Sequence, residues 1–132
     1  MSGYWLPRLF RRILPEEERV EPAAGAARLA ALRAAGGLAG EVAGLLLDRS
    51  ADLVAAALAG LAGRLPTGRP LRVLAEGSLY WKTPGYGRRV AATLDALLEN
   101  RRSREILGLE HANLAGSACA ALQPSAEASP DR

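Results

Sequence analysis

Two short apolar runs, each followed by a stretch with helical spacing, constrain the fold more than any other feature of this sequence. Leu71–Glu76 (LRVLAE) and Arg104–Leu109 (REILGL) predict two strands, because short apolar runs bounded by turn residues are typical of strands. Helical spacing follows over 84–100 and over 112–122. The order strand, helix, strand, helix predicts a parallel β-α-β unit in a helix-rich α/β fold. Ligands of such units bind beyond the carboxyl ends of the strands.

The helix between the two strands has a recognisable start. Thr83 is predicted to cap it, and Pro84 is predicted to occupy its first position. Apolar residues then repeat at i, i+4, i+7 and i+8, which predicts a buried stripe. The stripe consists of Val90, Leu94, Leu97 and Leu98.

The chain before the first strand is predicted to be helical. An Ala-rich helix over Ala23–Ala35 ends at Gly36 and Gly37, and a long core helix runs from Leu38 to about Arg64. The expected buried stripe of the long helix is Leu38, Val42, Leu45, Leu46, Leu53 and Ala57, with the acidic Glu41, Asp48 and Asp52 on another face. Its small residues predict close approach of another element: Gly40, Gly44, Ala56 and Gly60.

The remaining segments are predicted to lie at the edges of the domain. Met1–Leu14 predicts a short amphipathic helix that Ser2 caps and Pro15 ends, and its apolar face is Leu6, Leu9, Phe10 and Ile13. Residues 15–22 (PEEERVEP) predict an exposed linker, and residues 66–70 (PTGRP) predict a turn. Residues 123–132 lack an apolar stripe and predict a disordered tail, so the folded domain is expected to span residues 1–122.

Composition narrows the class of protein. The chain has 132 residues, enough for about one domain, and its 49% apolar content is mostly Ala and Leu, which favours close-packed helices. Net charge is only +3 and the Arg residues are scattered, so no nucleic-acid partner is expected. The single cysteine and the lack of a long apolar segment predict a cytoplasmic protein without a membrane partner.

Val73–Tyr86 reads VLAEGSLYWKTPGY. This segment resembles the adenosine motif of the hexokinase family, in which an apolar strand runs into Asp-Gly-Ser/Thr-x-Tyr and then into a Pro-led helix. The matching positions are Gly77, Ser78, Tyr80 and Pro84. Glu76 stands in place of the Asp of the motif.

Three further segments resemble the same family in the same order. Asp48–Leu61 is similar to its long helix with the pattern Arg-x-Ala-x-Leu-Val-Ala-Ala, and Glu110–Leu122 to its last conserved connecting segment. Met1–Leu14 is similar to the Ser-Gly-x-Tyr/Trp-Leu-Gly-Glu-Leu helix that follows a sugar-binding glutamate. The resemblance implies the carboxyl-terminal, nucleotide-holding part of the large domain. That domain has a ribonuclease H-like (actin-like ATPase) fold and takes ATP with Mg²⁺.

The resemblance also implies where the nucleotide lies. The implied nucleotide-binding residues are Gly3, Tyr4, Gly77, Ser78, Leu79, Tyr80, Trp81, Lys82, Asn113 and Gly116. Glycine lets a ligand approach the backbone, a serine hydroxyl can bond ribose or phosphate oxygen, and a helix amino terminus attracts phosphate. The sequence departs from the family at 112–116, where ANLAG replaces the usual Gly-Ser-Gly-x-Gly run.

Several of these residues also have an ordinary structural explanation. Gly77 and Ser78 could form a plain turn after a strand, and Tyr80 and Trp81 could simply close the edge of the core. Lys82 could be a solvated side chain.

Other reactive or charged residues carry ordinary expectations. Cys119 is expected to be a small buried hydrophobe, and solvent is the expected neighbour of Arg88 and Arg89. His111 has no nearby partner in the sequence and is expected to be a surface polar group.

The sequence lacks motifs that phosphoryl transfer to a sugar requires. Such transfer needs a carboxylate base, magnesium and donors that hold the transferred group. The family's Asp-Gly-Gly-Thr loop and Asn-Asp-Thr-Val-Gly base motif do not occur, nor does a Walker-type GxxxxGK loop. We therefore expect no catalytic residue in this chain, little activity by the chain alone, and an upstream hexokinase-like segment or a second copy as partner.

Two other classes of function stay open at this point. One is a non-catalytic helical interaction module or a pseudoenzyme remnant. The weaker one is a basic accessory protein that binds a membrane surface or nucleic acid.

Overall fold

The computed structural model describes residues 5–14, 25–66, 70–99, 102–108 and 112–122. The elements in these ranges are α1 (Trp5–Ile13), α2 (Gly25–Ala35), α3 (Gly37–Ala62), β1 (Leu71–Ala75), α4 (Ser78–Lys82), α5 (Tyr86–Leu97), β2 (Arg104–Gly108) and α6 (Ala112–Leu122). The helix-rich α/β class is confirmed, and α6 has the predicted bounds.

Strands β1 and β2 are parallel neighbours in one sheet, and α4 and α5 lie between them in the sequence. The register runs from Leu71 opposite Arg104 to Ala75 opposite Gly108. The Leu71 amide donates to the Ser103 carbonyl at 2.8 Å, which begins the ladder. The predicted parallel β-α-β unit is therefore confirmed, and it brings the carboxyl ends of both strands to one edge of the sheet.

Helix α3 lies at the centre of the packing, with α2 and α5 against it. Its buried residues lie mainly on a small-residue face: Gly40, Ala43, Leu47, Ser50, Ala51, Ala55 and Ala62. The predicted stripe is wrong for three of its four leucines, since Leu38 is 60%, Leu45 71% and Leu53 43% exposed. A close approach explains the difference, because a Cβ on Gly40 would lie 2.7 Å from the Leu32 carbonyl oxygen of α2. Small side chains allow that approach, and it turns the larger leucines outward.

The predictions for the other positions of α3 are only partly confirmed. Val42 and Leu46 pack partly buried against the core, whereas Leu53 and Ala57 are exposed. Among the small residues, Gly44 lies near the Arg33 side chain of α2, while no atom lies within 4 Å of a Cβ placed on Gly60.

Helix α1 buries half of its predicted apolar face. Leu6 and Phe10 are fully buried, and Leu14 just after the helix joins them in the core. Leu9 and Ile13 are exposed, so the prediction that they share the buried face is wrong. Pro7 lies within the first turn as predicted, where its missing N–H costs no helical hydrogen bond.

The start of α5 differs from the sequence-based expectation. The short helix α4 was not predicted, and Thr83 follows it in an extended conformation instead of capping α5. Gly85 is the residue that precedes α5, with a left-handed φ of 79° that glycine adopts without strain. Within α5, Val90 and Leu94 are buried as predicted, Leu98 is half-buried just after it, and Leu97 is exposed.

Polar contacts fix α5 on α3. A buried hydrogen bond of 2.9 Å joins Ser50 Oγ and Tyr86 Oη. Arg89 donates to Asp52 through Nε at 2.9 Å and through Nη2 at 2.7 Å, and it reaches Asp48 at 3.2 Å. Solvent is therefore not the main partner of Arg89, although its side chain stays 44% exposed, whereas Arg88 is exposed as expected. Thr93 Oγ1 also donates to Asp52 at 2.9 Å.

Some predictions concern residues outside the described ranges. These are the Ser2 cap, the linker over 15–22, the centre of the turn at 67–69, His111 and the tail over 123–132. None of the helices in the described part of the chain is both long enough and apolar enough for a membrane span.

Candidate functional site

The candidate site is built at the carboxyl ends of β1 and β2. Directly after β1 come Glu76, Gly77 and then Ser78, the first residue of α4. Gly77 has a φ of 105°, and no atom lies within 4 Å of the place where a Cβ would stand. Ser78 is exposed beside it. An open backbone next to an exposed hydroxyl suits the close approach of a ribose or a base.

The turn after β1 contacts the start of α6 directly. The Asn113 amide donates to Glu76 Oε2 at 3.1 Å. Asn113 lies in the first turn of α6, where backbone N–H groups have no partner within the helix. Glu76 therefore supplies a negatively charged acceptor at the positive end of this helix. The two turns that the resemblance implies as ligand contacts thus lie side by side.

The next amide of α6 also has an acceptor within this chain. Leu114 N–H donates to Asn113 Oδ1 at 2.8 Å. Both amides are bound to oxygen atoms of this chain, so a phosphate group at this end of α6 would have to displace Glu76. The residues fit the nucleoside part of ATP better than its phosphates. Among the described residues, no group of three or more His, Cys, Asp and Glu side chains could hold a metal ion.

Trp81 lies across the ends of both strands. Its indole N–H donates to the Ala75 carbonyl at 3.0 Å, and its ring lies against Gly108 at the end of β2. A Cβ on Gly108 would be 2.9 Å from Trp81 Cζ2, so only glycine leaves room for the ring. Trp81 thus covers the edge of the core, in agreement with its ordinary structural explanation, while about half of the side chain stays exposed.

Tyr80 packs on α5 beside Trp81. A Cβ on Gly87 would lie 3.1 Å from Tyr80 Cζ, which shows how closely the ring approaches this helix. The Tyr80 and Trp81 rings meet edge to face at 4.9 Å. Burial raises the pKa of the Tyr80 phenol, and the nearby Arg104 charge lowers it in part. Arg104 is held by two bonds of 2.6 Å to Asp95.

The other predicted site residues lie at different depths. Lys82 and Gly116 are exposed, and Leu79 is half-buried against the core. Gly3 and Tyr4 lie outside the described residues. Cys119 on α6 is exposed, so the expectation of a buried hydrophobe is wrong. Every described residue of α6 from Asn113 onward is exposed, because no other described element packs extensively on this helix.

Two contributors to this edge were missed at the level of sequence. The Trp81 ring lies against Gly108. A glycine at the end of a predicted strand is a known sign that another group approaches the backbone closely. Glu76 is the acceptor for α6; the sequence marked it only as the residue in place of the motif's Asp, and its partner could not be predicted because it lies 37 positions away.

Comparison with protein families decides the assignment. A family model described as Hexokinase matches residues 33–123, which include both turns of the candidate site. The chain belongs to the hexokinase family. The match begins within α2, so the similarity of Met1–Leu14 to a hexokinase helix lies outside it. No curated protein and no solved structure matches this hexokinase-family chain.

Proposed function

We propose that this chain supplies the adenine-nucleotide side of an ATP-dependent hexose kinase whose large domain is ribonuclease H-like. The observation that carries the proposal is the Glu76 to Asn113 hydrogen bond. It joins, at one sheet edge, the two turns that the hexokinase adenosine motif and the last connecting segment imply as nucleotide contacts. Both turns lie within the matched residues. In parallel α/β units this edge is where ligands bind.

Different residues of the site are proposed to bind the nucleoside and the phosphates of ATP. Gly77 offers open backbone and Ser78 a hydroxyl for the nucleoside. Lys82 is exposed four residues further on and carries a positive charge that attracts phosphate. The Asn113 amide becomes available to a phosphate oxygen when the Glu76 carboxylate moves away. ATP brings the transferable phosphoryl group, and Mg²⁺ neutralises its charge.

Transfer itself needs groups that the sequence does not supply. No hexokinase base motif occurs in the sequence, and Glu76, the acidic residue of the candidate site, accepts a hydrogen bond from the start of α6. We therefore propose that the chain is inactive alone. A hexokinase-like segment with the sugar site and the carboxylate base would complete the active site. We propose that the completed enzyme works in the cytoplasm and takes part in sugar breakdown.

Enzyme kinetics test this proposal. The chain alone should release no ADP from ATP·Mg²⁺ and glucose, and coexpression with the sugar-binding portion of a hexokinase should restore release. In the completed enzyme, Ser78→Ala should raise the KM for ATP about fivefold, the effect of one lost hydrogen bond, and leave the KM for sugar unchanged. Ser103→Ala, an exposed serine before β2, is the matched control. Activity of the chain alone, or equal effects of both variants, would contradict the proposal.

A second candidate function rests on α6. This helix carries no charged residue, and its described side chains from Asn113 onward are exposed. A helix that is apolar on most sides is usually buried against something. A non-catalytic interaction module would show full binding to a partner without nucleotide, and loss of that binding in Leu114→Gln.

A further inference from the structure

Trp81 contacts the last residue of each strand. Its indole N–H donates at 3.0 Å to the carbonyl of Ala75, where β1 ends. Its ring lies against Gly108, where β2 ends. Ala75 and Gly108 lie opposite each other in the register of the sheet. One side chain therefore spans the edge of the sheet at which ligands of parallel α/β units bind.

The bond to Ala75 closes a short loop around the turn after β1. The donor and the acceptor are six positions apart in the sequence, and Glu76, Gly77 and Ser78 lie between them. Gly77 has a φ of 105°, which allows the chain to turn back over the end of β1. The indole bond holds the two ends of this loop together. It therefore limits the positions that the Gly77 backbone and the Ser78 hydroxyl can take.

Ser78 and Trp81 lie on the same side of α4. The helix runs from Ser78 to Lys82, and residues three positions apart in a helix are neighbours on one face. The other side of α4 is held as well, because Leu79 packs on the core and the Tyr80 ring approaches α5 closely. The seat of the indole on the strand ends therefore sets the position of the Ser78 hydroxyl relative to the sheet.

The same side chain lies at the base of the second turn. From Gly108 the chain continues to α6, which begins at Ala112. A Cβ on Gly108 would lie 2.9 Å from Trp81 Cζ2, so the ring rests directly on the backbone there. Farther from the sheet, the Asn113 amide bonds Glu76 at 3.1 Å. Two separate contacts thus join the two turns, one at their tips and one at their bases.

We propose that Trp81 is a positioning residue that holds the Gly77 turn and the start of α6 in the relative position that one nucleotide needs to contact both. The inference rests on the proposed function and adds to it a residue that acts through the two turns and not through contact with ATP. Phenylalanine would cover the edge of the core with a similar ring, but it has no N–H to hold Ala75. The indole N–H therefore separates positioning from simple coverage.

Steady-state kinetics of the chain completed with a hexokinase sugar-binding portion tests the positioning. Trp81→Phe keeps a ring on Gly108 and removes the N–H. It should raise the KM for ATP about fivefold, the effect of one lost hydrogen bond, and leave kcat and the KM for sugar unchanged. Trp5→Phe is the matched control, since Trp5 is also half-exposed and belongs to α1, which packs on α2 and α3. This control should behave as wild type.

Gly108→Ala approaches the same contact from the other strand. Its Cβ displaces the indole, so the KM for ATP should rise in this variant too. In the Trp81→Phe background the smaller ring leaves more room, and the same change should raise the KM by a smaller factor. A double-mutant cycle compares the two factors. Equal factors in both backgrounds would overturn the inference.

Backbone order parameters from NMR relaxation give a readout in the chain without nucleotide. The values for the Gly77 and Ser78 amides should fall in Trp81→Phe, while that of Val90 in the buried part of α5 should not change. Unchanged order parameters, or an unchanged KM for ATP in Trp81→Phe, would overturn this inference alone. A completed wild-type enzyme that ATP does not saturate would overturn the proposed function and this inference with it.

Discussion

The Asn113 amide donates a hydrogen bond to the Glu76 carboxylate at 3.1 Å and thereby ties the end of β1 to the start of α6. The hexokinase motif has Asp where this chain has Glu76, and the extra methylene extends the reach of the carboxylate. Asn113 and Leu114 stand where the family has small, flexible residues. The two departures occur together, and the contact between them gives α6 an acceptor from within the chain.

Removal of this acceptor should loosen the start of α6. Glu76→Ala should cost about 1 kcal/mol of local helix stability, the usual effect of a lost amino-terminal cap. Hydrogen exchange at the Asn113 amide measures the change directly and should accelerate. Glu105→Ala removes another exposed glutamate at the sheet and should leave this amide unaffected. Unchanged exchange in Glu76→Ala would show that the contact does not stabilise α6.

Acid should weaken the packing of α5 on α3. Hydrogen bonds from Arg89 and then from Thr93 hold the pKa of Asp52 below its ordinary value of 3.8. The folded chain therefore binds this proton less readily than the unfolded chain does. The stabilising contribution is complete above that ordinary pKa and is lost as pH falls below 3.8 through the lowered folded-state pKa.

The variant Asp52→Asn checks this assignment. Urea unfolding from neutral pH to below 3.8 should show lower stability than wild type at neutral pH and a shallower loss in acid. Glu105→Gln, which disrupts only the exposed pair with Arg72, is the control and should keep the wild-type acid slope. An identical acid slope in Asp52→Asn and wild type would remove Asp52 from the explanation.

The buried bond between Ser50 and Tyr86 should show strong coupling. Tyr86→Phe or Ser50→Ala leaves one buried hydroxyl without its partner, which costs about 1–3 kcal/mol. The double variant removes both hydroxyls and should lose less than the sum of the single losses. A double-mutant cycle in urea measures the difference. Additive losses would mean that the two hydroxyls do not depend on each other.

Two glycines should respond in opposite ways to alanine. Gly108→Ala places a Cβ against the Trp81 ring, so the ring must move and its bond to Ala75 should weaken. Stability should fall, and the tryptophan emission should shift toward the wavelength of water-exposed indole. Gly116→Ala, in the open interior of α6, should stabilise the helix by about 0.5–1 kcal/mol. Equal effects of the two changes would contradict the close contact at Gly108.

Local sequence patterns predicted where the helices and strands lie better than they predicted which face of each helix is buried. Apolar runs with turn residues located both strands, and a small-residue helix after a strand located α6 with its observed bounds. The buried face of α3 was misjudged because hydrophobicity favoured Leu38 and Leu45, whereas packing favoured Gly40 and its small neighbours. Which face is buried depends on how closely α2 and α5 approach, and that distance is not encoded in one helix alone.

The candidate site was predictable only in part for a related reason. The hexokinase motif identified Gly77 and Ser78, and the strand order predicted that the turns around them and around Asn113 would meet. The partners of Asn113, Arg89 and Trp81 could not be predicted, because they lie in elements distant in sequence and follow from tertiary packing.

The central claim is that the turn at Gly77 and the start of α6 form one nucleotide edge. Amide chemical shifts of the chain completed with a hexokinase sugar-binding portion, titrated with ATP·Mg²⁺, test it most directly. The amides of Gly77, Ser78 and Asn113 should shift together with a single midpoint, as expected for one ligand that touches both turns. Shifts at only one of the turns, different midpoints for the two, or no shift at either would contradict the account.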